Sequence, residues 1–318
     1  MMPIEPMERA SRRPRIALPS PAELPRLRRA LLAWQRRHGL RAPWRESGDP
    51  YQSLVAAVMA QQTQMSRVLP KFDEFLGAFP TVEALAAATP GEALRVWGRL
   101  GYNLRALRLH RAARRIVAGG GFPRTAEELA RIEGIGPFTA AIVSSFAFGE
   151  PVAAVDTNVR RVVARLLGDD DGRLGDRALQ APADALVARR SAARWNQAMM
   201  DLGARVCTAR APRCGECPLA PWCRARPRFE KAPPARRVAE QRAAYRAQPP
   251  YAGSRRYYRG RIVEALRALP PGASLTAAQL SERLPAGHGL GPVQVREIIE
   301  SLRRDGLARV DRRRLRLP

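Results

Sequence analysis

The chain has 318 residues, a net charge of +26, a pI near 11.5 and a hydrophobic fraction of 46%. That length exceeds the usual single domain and that apolar content fills a core, so two or more folded domains are expected. The absence of an apolar run of about 18 residues and of a signal-like N-terminus argues against a membrane span and secretion, predicting a cytoplasmic, nucleoid-associated monomer. The charge favours a polyanionic partner through steering and counterion release, although arginine-rich composition explains part of the excess.

Residues 1–22, rich in Pro and Arg, read as a loose basic arm. Leu24, Leu27, Leu31, Leu32 and Trp34 recur at helical spacing from Ala22 to His38. Tyr51 to about Phe75 reads as a helix interrupted at Pro70, carrying the polar run Gln61-Gln62-Thr63-Gln64. Thr81 and Thr89-Pro90 open two short helices. A turn, Gly98 to Tyr102, leads to a basic amphipathic helix from Leu104 to Gly119. Thr125-Ala126-Glu127-Glu128 has the form of a capping box. Its short helix ends near Ile132 and is followed by a Gly-X-Gly turn, Gly134-Ile135-Gly136, and a helix of small residues.

A Gly-X-Gly turn at the start of a helix presents backbone N–H groups to an anion such as phosphate. Asp156 follows about twenty residues later in an otherwise apolar approach. Its structural alternative is a cap for the helix that continues through Val159 to Leu167. Helices are also expected over 176–190 and 192–205. No sustained period-two alternation occurs up to residue 240, so the core is expected to be all-α.

The four cysteines, Cys207, Cys214, Cys217 and Cys223, fall within seventeen residues. That clustering argues for a metal centre over disulfides, and the spacing alone permits zinc or a [4Fe–4S] cluster. Residues 226–250 read as a linker. Residues 251–318 offer helices over Arg261–Leu269, Thr276–Leu284 and Pro292–Asp305, then an alternating basic hairpin. This is the pattern of a small winged-helix-like domain. From Arg224 onward there are 22 basic and 8 acidic residues, a net of +14. His38, His110 and His288 have no acid or Cys partner in register and read as surface residues. Trp44, Trp97 and Trp195 read as core anchors.

The segment Asn196 to Ala204 followed by this Cys spacing resembles the endonuclease III and adenine DNA glycosylase (MutY-type) superfamily. The resemblance spans most of residues 25–225. It includes Pro43-Trp44-Arg45, Gln61 to Gln64, Gly98 to Tyr102, the Gly134-Ile135-Gly136 hairpin and Val155 to Arg161. It implies a two-lobed helix–hairpin–helix fold with a DNA site between the lobes, and a [4Fe–4S] cluster on the four cysteines. It also implies double-stranded DNA with a mismatched or damaged base as partner, and base excision by hydrolysis of an N-glycosidic bond. Catalysis would rest on Asp156 and Asn158. DNA contacts would come from Gln61, Gln62, Thr63, Tyr102 and Thr139 and from the N–H groups of Gly134, Ile135 and Gly136.

Two positions depart from that pattern. Phe138 stands where endonuclease III carries its Schiff-base lysine, so the resemblance implies a monofunctional enzyme. Ala57 stands where adenine glycosylases carry the Glu that protonates the leaving base, and no acid occurs from Tyr51 to Lys71. Adenine opposite guanine or 8-oxoguanine is the substrate expected from the resemblance. Mismatched thymine or uracil is an alternative, as is a non-catalytic DNA-damage binder.

Overall fold

The computed structural model describes residues 17–169, 176–231, 251–285 and 289–318. Residues 1–16 of the expected arm, 232–250 of the expected linker, and His288 lie outside the described residues. The described residues form two compact units. Of the described residues, one draws on 17–40, 155–169, 176–188 and 194–231, the other on 41–154, 189–193, 251–285 and 289–318.

In the first unit, α1 (Leu24–His38) buries Leu27, Leu31 and Trp34, the stripe that its spacing foretells. It is joined by α9 (Thr157–Leu167), α10 (Asp176–Leu186), α11 (Ala192–Arg205) and α12 (Arg226–Lys231). Arg28 of α1 donates to the carbonyls of Leu186 (3.0 Å) and Ala185 (2.9 Å), satisfying acceptors that the end of α10 leaves open. The helix α12 occupies residues that the sequence reads as linker. Short-range Arg226–Glu230 pairing (2.7 Å) supports it where apolar periodicity is missing.

The second unit contains α2 (Pro50–Ala60), α3 (Met65–Ala78), α4 (Val82–Ala87), α5 (Pro90–Trp97), α6 (Leu104–Ala118), α7 (Ala126–Ala130) and α8 (Pro137–Ala147). The Asp49 side chain accepts from Tyr51 N (2.8 Å) and caps α2, and Thr89 with Glu92 and Thr125 with Glu128 close full capping boxes on α5 and α7. Helix α2 packs against α8, whose Ala140, Ala141, Ser144 and Ser145 are all buried. The expected break at Pro70 is corrected here. The interruption falls at Gln61–Gln64, and Pro70 sits inside α3. Gln62 has φ 54°, which ends α2, while burial of Val68, Phe72 and Phe75 keeps α3 helical through the proline. His110 is likewise corrected from surface to core. Its Nε2 donates to Ala88 O at 2.7 Å, and the ring is buried.

The C-terminal residues add α13 (Arg255–Arg267), β1 (Leu275–Thr276), α14 (Ala277–Glu282), α15 (Pro292–Arg304), β2 (Arg309–Asp311) and β3 (Arg314–Arg316). The strands form an antiparallel sheet in the order β1-β3-β2, with Leu275 opposite Leu315. The described elements thus run helix, strand, two helices and a hairpin. Ser254 caps α13, whose first residue, Arg255, lies six residues before the expected start, and the two-residue β1 is too short to announce itself by alternation. One hydrophobic cluster runs from Leu54, Phe72, Trp97 and Leu107 into Ile262, Leu266, Leu302 and Leu307. Two arginines are exchanged between α5 and α13. Arg95 donates to the carbonyls of Arg267 (2.9 Å) and Leu269 (2.9 Å), and Arg267 donates to Gly98 O and to Asn103 Oδ1. Among the described residues, no helix is long and apolar enough to cross a membrane.

Candidate active site

In the first unit, Asp156 is the N-cap of α9. Its Oδ1 accepts from Asn158 N (2.9 Å) and Val159 N (2.7 Å), and Oδ2 accepts from Asn158 Nδ2 (3.2 Å). The cap expected as the structural alternative for Asp156 is present. Three donors leave room on its roughly four lone-pair sites for a further partner. Asp156 is half-buried, as is Asn158.

Asn158 is held in turn. Arg161 Nη2 donates to Asn158 Oδ1 (2.8 Å) and to Gly203 O (2.7 Å), while its Nε donates to Cys207 O (2.7 Å). One turn on, Arg165 donates to Cys207 Sγ (3.3 Å), Thr208 O (2.8 Å) and Ala209 O (3.0 Å), and its guanidinium stacks over Phe229. Two arginines of α9 thus strap the first turn of the cysteine loop to the helix that Asp156 caps.

None of the four cysteines is joined in a disulfide. Burial pushes the Cys217 thiol up to about 12 and raises Cys214 and Cys223 as well. Ligation to iron would supply the charge compensation that burial withholds from these thiolates. Among the described residues no three His, Cys, Asp or Glu side chains converge as a single ion demands. A four-iron cluster is a larger body, and an all-thiolate donor set fits it.

The second unit supplies the nucleic-acid candidates. Gln62 (φ 54°) and Tyr102 (φ 48°) both adopt the left-handed conformation that side chains disfavour, and both side chains are exposed, Tyr102 at 60%. A buried guanidinium, Arg105, joins the two turns that carry them. It donates to Val58 O (3.0 Å), Met59 O (2.9 Å) and Gln61 O, to Thr63 Oγ1 (2.9 Å) and to Gly101 O (3.3 Å). It also lies 5.3 Å from the ring centroids of both Trp97 and Tyr102. Burial lowers its pKa to about 10, leaving it cationic at neutral pH. The sequence reading missed Arg105. The available signal is that it interrupts the apolar stripe Leu109, Ala112 and Ile116 of α6 at helical spacing.

At the hairpin, the Gly134 and Gly136 N–H groups have no acceptor among the described residues, and Gly136 is the N-cap of α8. Gly134 has φ 95°, and a Cβ there would lie 3.1 Å from Arg108, so this turn needs glycine. Ile135 departs from expectation. Its N–H donates to Ile132 O (3.0 Å) and its side chain is in the core, so it anchors the turn. Thr139 is also buried, receiving Gln61 Nε2 at 3.3 Å, so it positions Gln61 and is not itself open to a ligand. Thr63 is tied between Gln61 O (3.2 Å) and Arg105. Ala57 is 7% exposed within apolar α2, and Phe138 is half-buried on α8.

Residues 55–181 match the HhH-GPD superfamily of base excision DNA repair proteins, and residues 207–223 match the iron–sulfur binding domain of endonuclease III. The chain is 42% identical to the adenine DNA glycosylase of Mycolicibacterium smegmatis over 244 residues, covering 74% of this chain and 79% of that protein. It is 41% identical to that of Mycobacterium tuberculosis, covering 75% and 77%. The human adenine DNA glycosylase is 37% identical, over 66% of this chain and 41% of its own length. Among solved structures, a thermostable thymine-DNA glycosylase superposes with a TM-score of 0.60 at 27% identity, over 66% of this chain and 98% of its own. A trapped endonuclease III–DNA intermediate, at 22% identity and a TM-score of 0.55, shares the fold over 67% of this chain and all of its own. The four-cysteine loop is therefore that of a [4Fe–4S] cluster, and the chain belongs to the HhH-GPD base excision repair superfamily, in the family of the adenine DNA glycosylases.

Proposed function

We propose that the chain is a monofunctional DNA N-glycosylase that hydrolyses the bond to adenine mispaired with guanine or 8-oxoguanine. The observation that carries this reading is Asp156, held as the cap of α9 beside Asn158 in a chain so similar to adenine glycosylases. A base inside a duplex is out of reach, so the nucleotide is first extruded at a cost of a few kcal/mol, less at a mismatch. The Gly134 and Gly136 N–H groups grip a phosphate, and Tyr102 and Gln62 fill the vacated stack. Bond cleavage builds positive charge on the sugar, and the Asp156 carboxylate stabilises it while Asn158 keeps the carboxylate oriented. Water then completes the hydrolysis. When bound, the cluster supplies a cross-link among Cys207, Cys214, Cys217 and Cys223 that fixes the loop.

The monofunctional assignment rests on Phe138 and on the occupation of Lys71, which donates to Val96 O (3.2 Å) and pairs with Glu74. Ala57 supports a second reading, excision of thymine or uracil opposite guanine, because a pyrimidine leaving group needs less help from an acid. A general acid is typically worth about 10²–10⁴-fold, so its absence is a large debit for adenine. The test is a base-release screen on duplexes carrying A, T, U, hypoxanthine and 8-oxoguanine in defined pairs, with and without alkali. Adenine release that nicks the strand only after alkali supports the proposal. Release of thymine or uracil alone moves the assignment to the second reading, and alkali-independent nicking defeats the monofunctional claim. The Ala57→Glu variant is expected to raise adenine release if adenine is the substrate.

A further inference from the structure

The hairpin of β2 and β3 turns on two residues, Arg312 (φ 44°) and Arg313 (φ 65°), between the paired residues Asp311 and Arg314. A two-residue turn with both φ positive is type I′, which Asn-Gly satisfies without strain and a pair of arginines does not. Strain that persists at an exposed tip points to a use for the side chains held there. Five arginines, Arg309, Arg312, Arg313, Arg314 and Arg316, stand on this short ribbon with one acid, Asp311, and all are exposed. Arg314 is committed to the base of the wing, donating to Ser274 Oγ (2.7 Å) and Ser274 O (3.0 Å). Among the described residues, no ion pair engages Arg309, Arg312, Arg313 or Arg316. Leu315 between them is buried against Leu275, so the ribbon is anchored and its charged tip projects.

We propose that this arginine-tipped wing is a second DNA-contacting surface, which takes the phosphate backbone of duplex DNA outside the lesion. The proposal rests on the reading of the chain as a DNA glycosylase. Charge complementarity selects the partner. Four exposed guanidinium groups on one ribbon fit a regular array of phosphates, and the turn holds two of them at its apex. Because residues 251–318 share one hydrophobic core with residues 41–154, the wing is carried by the same compact unit as Tyr102 and the glycine hairpin.

The test exploits the strain. In the full-length, cluster-loaded protein, Arg312→Asn combined with Arg313→Gly installs the favoured turn and removes two charges. The expected result is a higher melting temperature together with weaker duplex binding. Each phosphate contact contributes about 0.9 to the slope of log affinity against log salt, so the slope should fall by about 1.8. Over a fourfold rise in salt, the affinity loss should shrink about tenfold. Arg312→Lys with Arg313→Lys should keep the slope. An unchanged slope in the Asn/Gly variant, with base release by the wild type intact, overturns the wing proposal and points to a protein partner for this surface. Absence of any base release by the wild type would instead overturn the glycosylase reading.

Discussion

The two compact units use charged groups in opposite ways. In the first, polar groups form a chain, from Asp156 through Asn158 and Arg161 to Cys207 and Gly203, that holds one carboxylate still. In the second, one buried cation, Arg105, collects backbone carbonyls and thereby holds two turns in the left-handed region, while the exposed side chains on those turns, Gln62 and Tyr102, carry no charge. The contrast separates tasks. On the proposed function, one unit fixes the group that acts on the sugar, and the other uses its polar bonds for backbone shape and leaves side chains free to enter a base stack. Turnover and DNA engagement should therefore respond to different substitutions.

The largest expected effect is on turnover. Asp156→Asn should lower base release by at least about 100-fold, the scale for losing a group that stabilises transition-state charge, with duplex binding in a mobility-shift assay little changed. Equal losses of both would erase the distinction between the units. Arg105→Met should cost about 3 kcal/mol in urea denaturation, because it leaves several buried carbonyls without a donor, and Arg105→Lys should not restore it. A smaller effect is expected at the exchange between α5 and α13. Replacing Arg267 by Met should remove about 1–2 kcal/mol and slow the fluorescence change of 2-aminopurine placed at the target base, since the Gly98–Asn103 turn bearing Tyr102 loses two bonds. If extrusion is unaffected while stability falls, the turn does not depend on that brace. The smallest is Thr89→Ala, at about 1 kcal/mol from loss of the α5 cap. Hydrogen bonds from Thr89 hold the Glu92 carboxyl below its ordinary value of 4.5. The capping-box contribution of Glu92 is therefore present above about pH 4.5 and lost as pH falls through the depressed value, which a pH series of melts would register.

Much of the candidate site was legible because its signals are local. The cysteine spacing, the Gly-X-Gly turn, and Asp156 ahead of a helical stripe each lie within one short segment. The cap boxes on α5 and α7 are equally local, as both partners are three residues apart. What escaped depends on contacts distant in sequence. Arg105 looks like one more arginine in a basic helix until the carbonyls of Val58 and Met59 meet it. His110 reads as a surface residue until Ala88 O arrives. The break at Gln61–Gln64 is set by a left-handed glutamine that no composition rule marks, and proline, the usual breaker, is overruled by the aromatic face of α3. The same logic applies to residues 251–318. Their helices were visible, but the burial of Ile262 and Leu266 in the core around Trp97 was not. Truncating the chain before residue 251 would strip that core, so point substitutions are the cleaner probe of the basic tail.

One small residue carries a consequence for inheritance. A Cβ on Gly203 of α11 would lie 2.7 Å from Asn158 Cβ and 3.0 Å from Asn158 O, so the two helices touch where any side chain must displace the neighbour of Asp156. A missense allele at codon 203 should then yield protein that accumulates and still binds its substrate yet leaves mispairs uncorrected. Such a strain would be recognised by its mutation rate and not by any loss of the polypeptide.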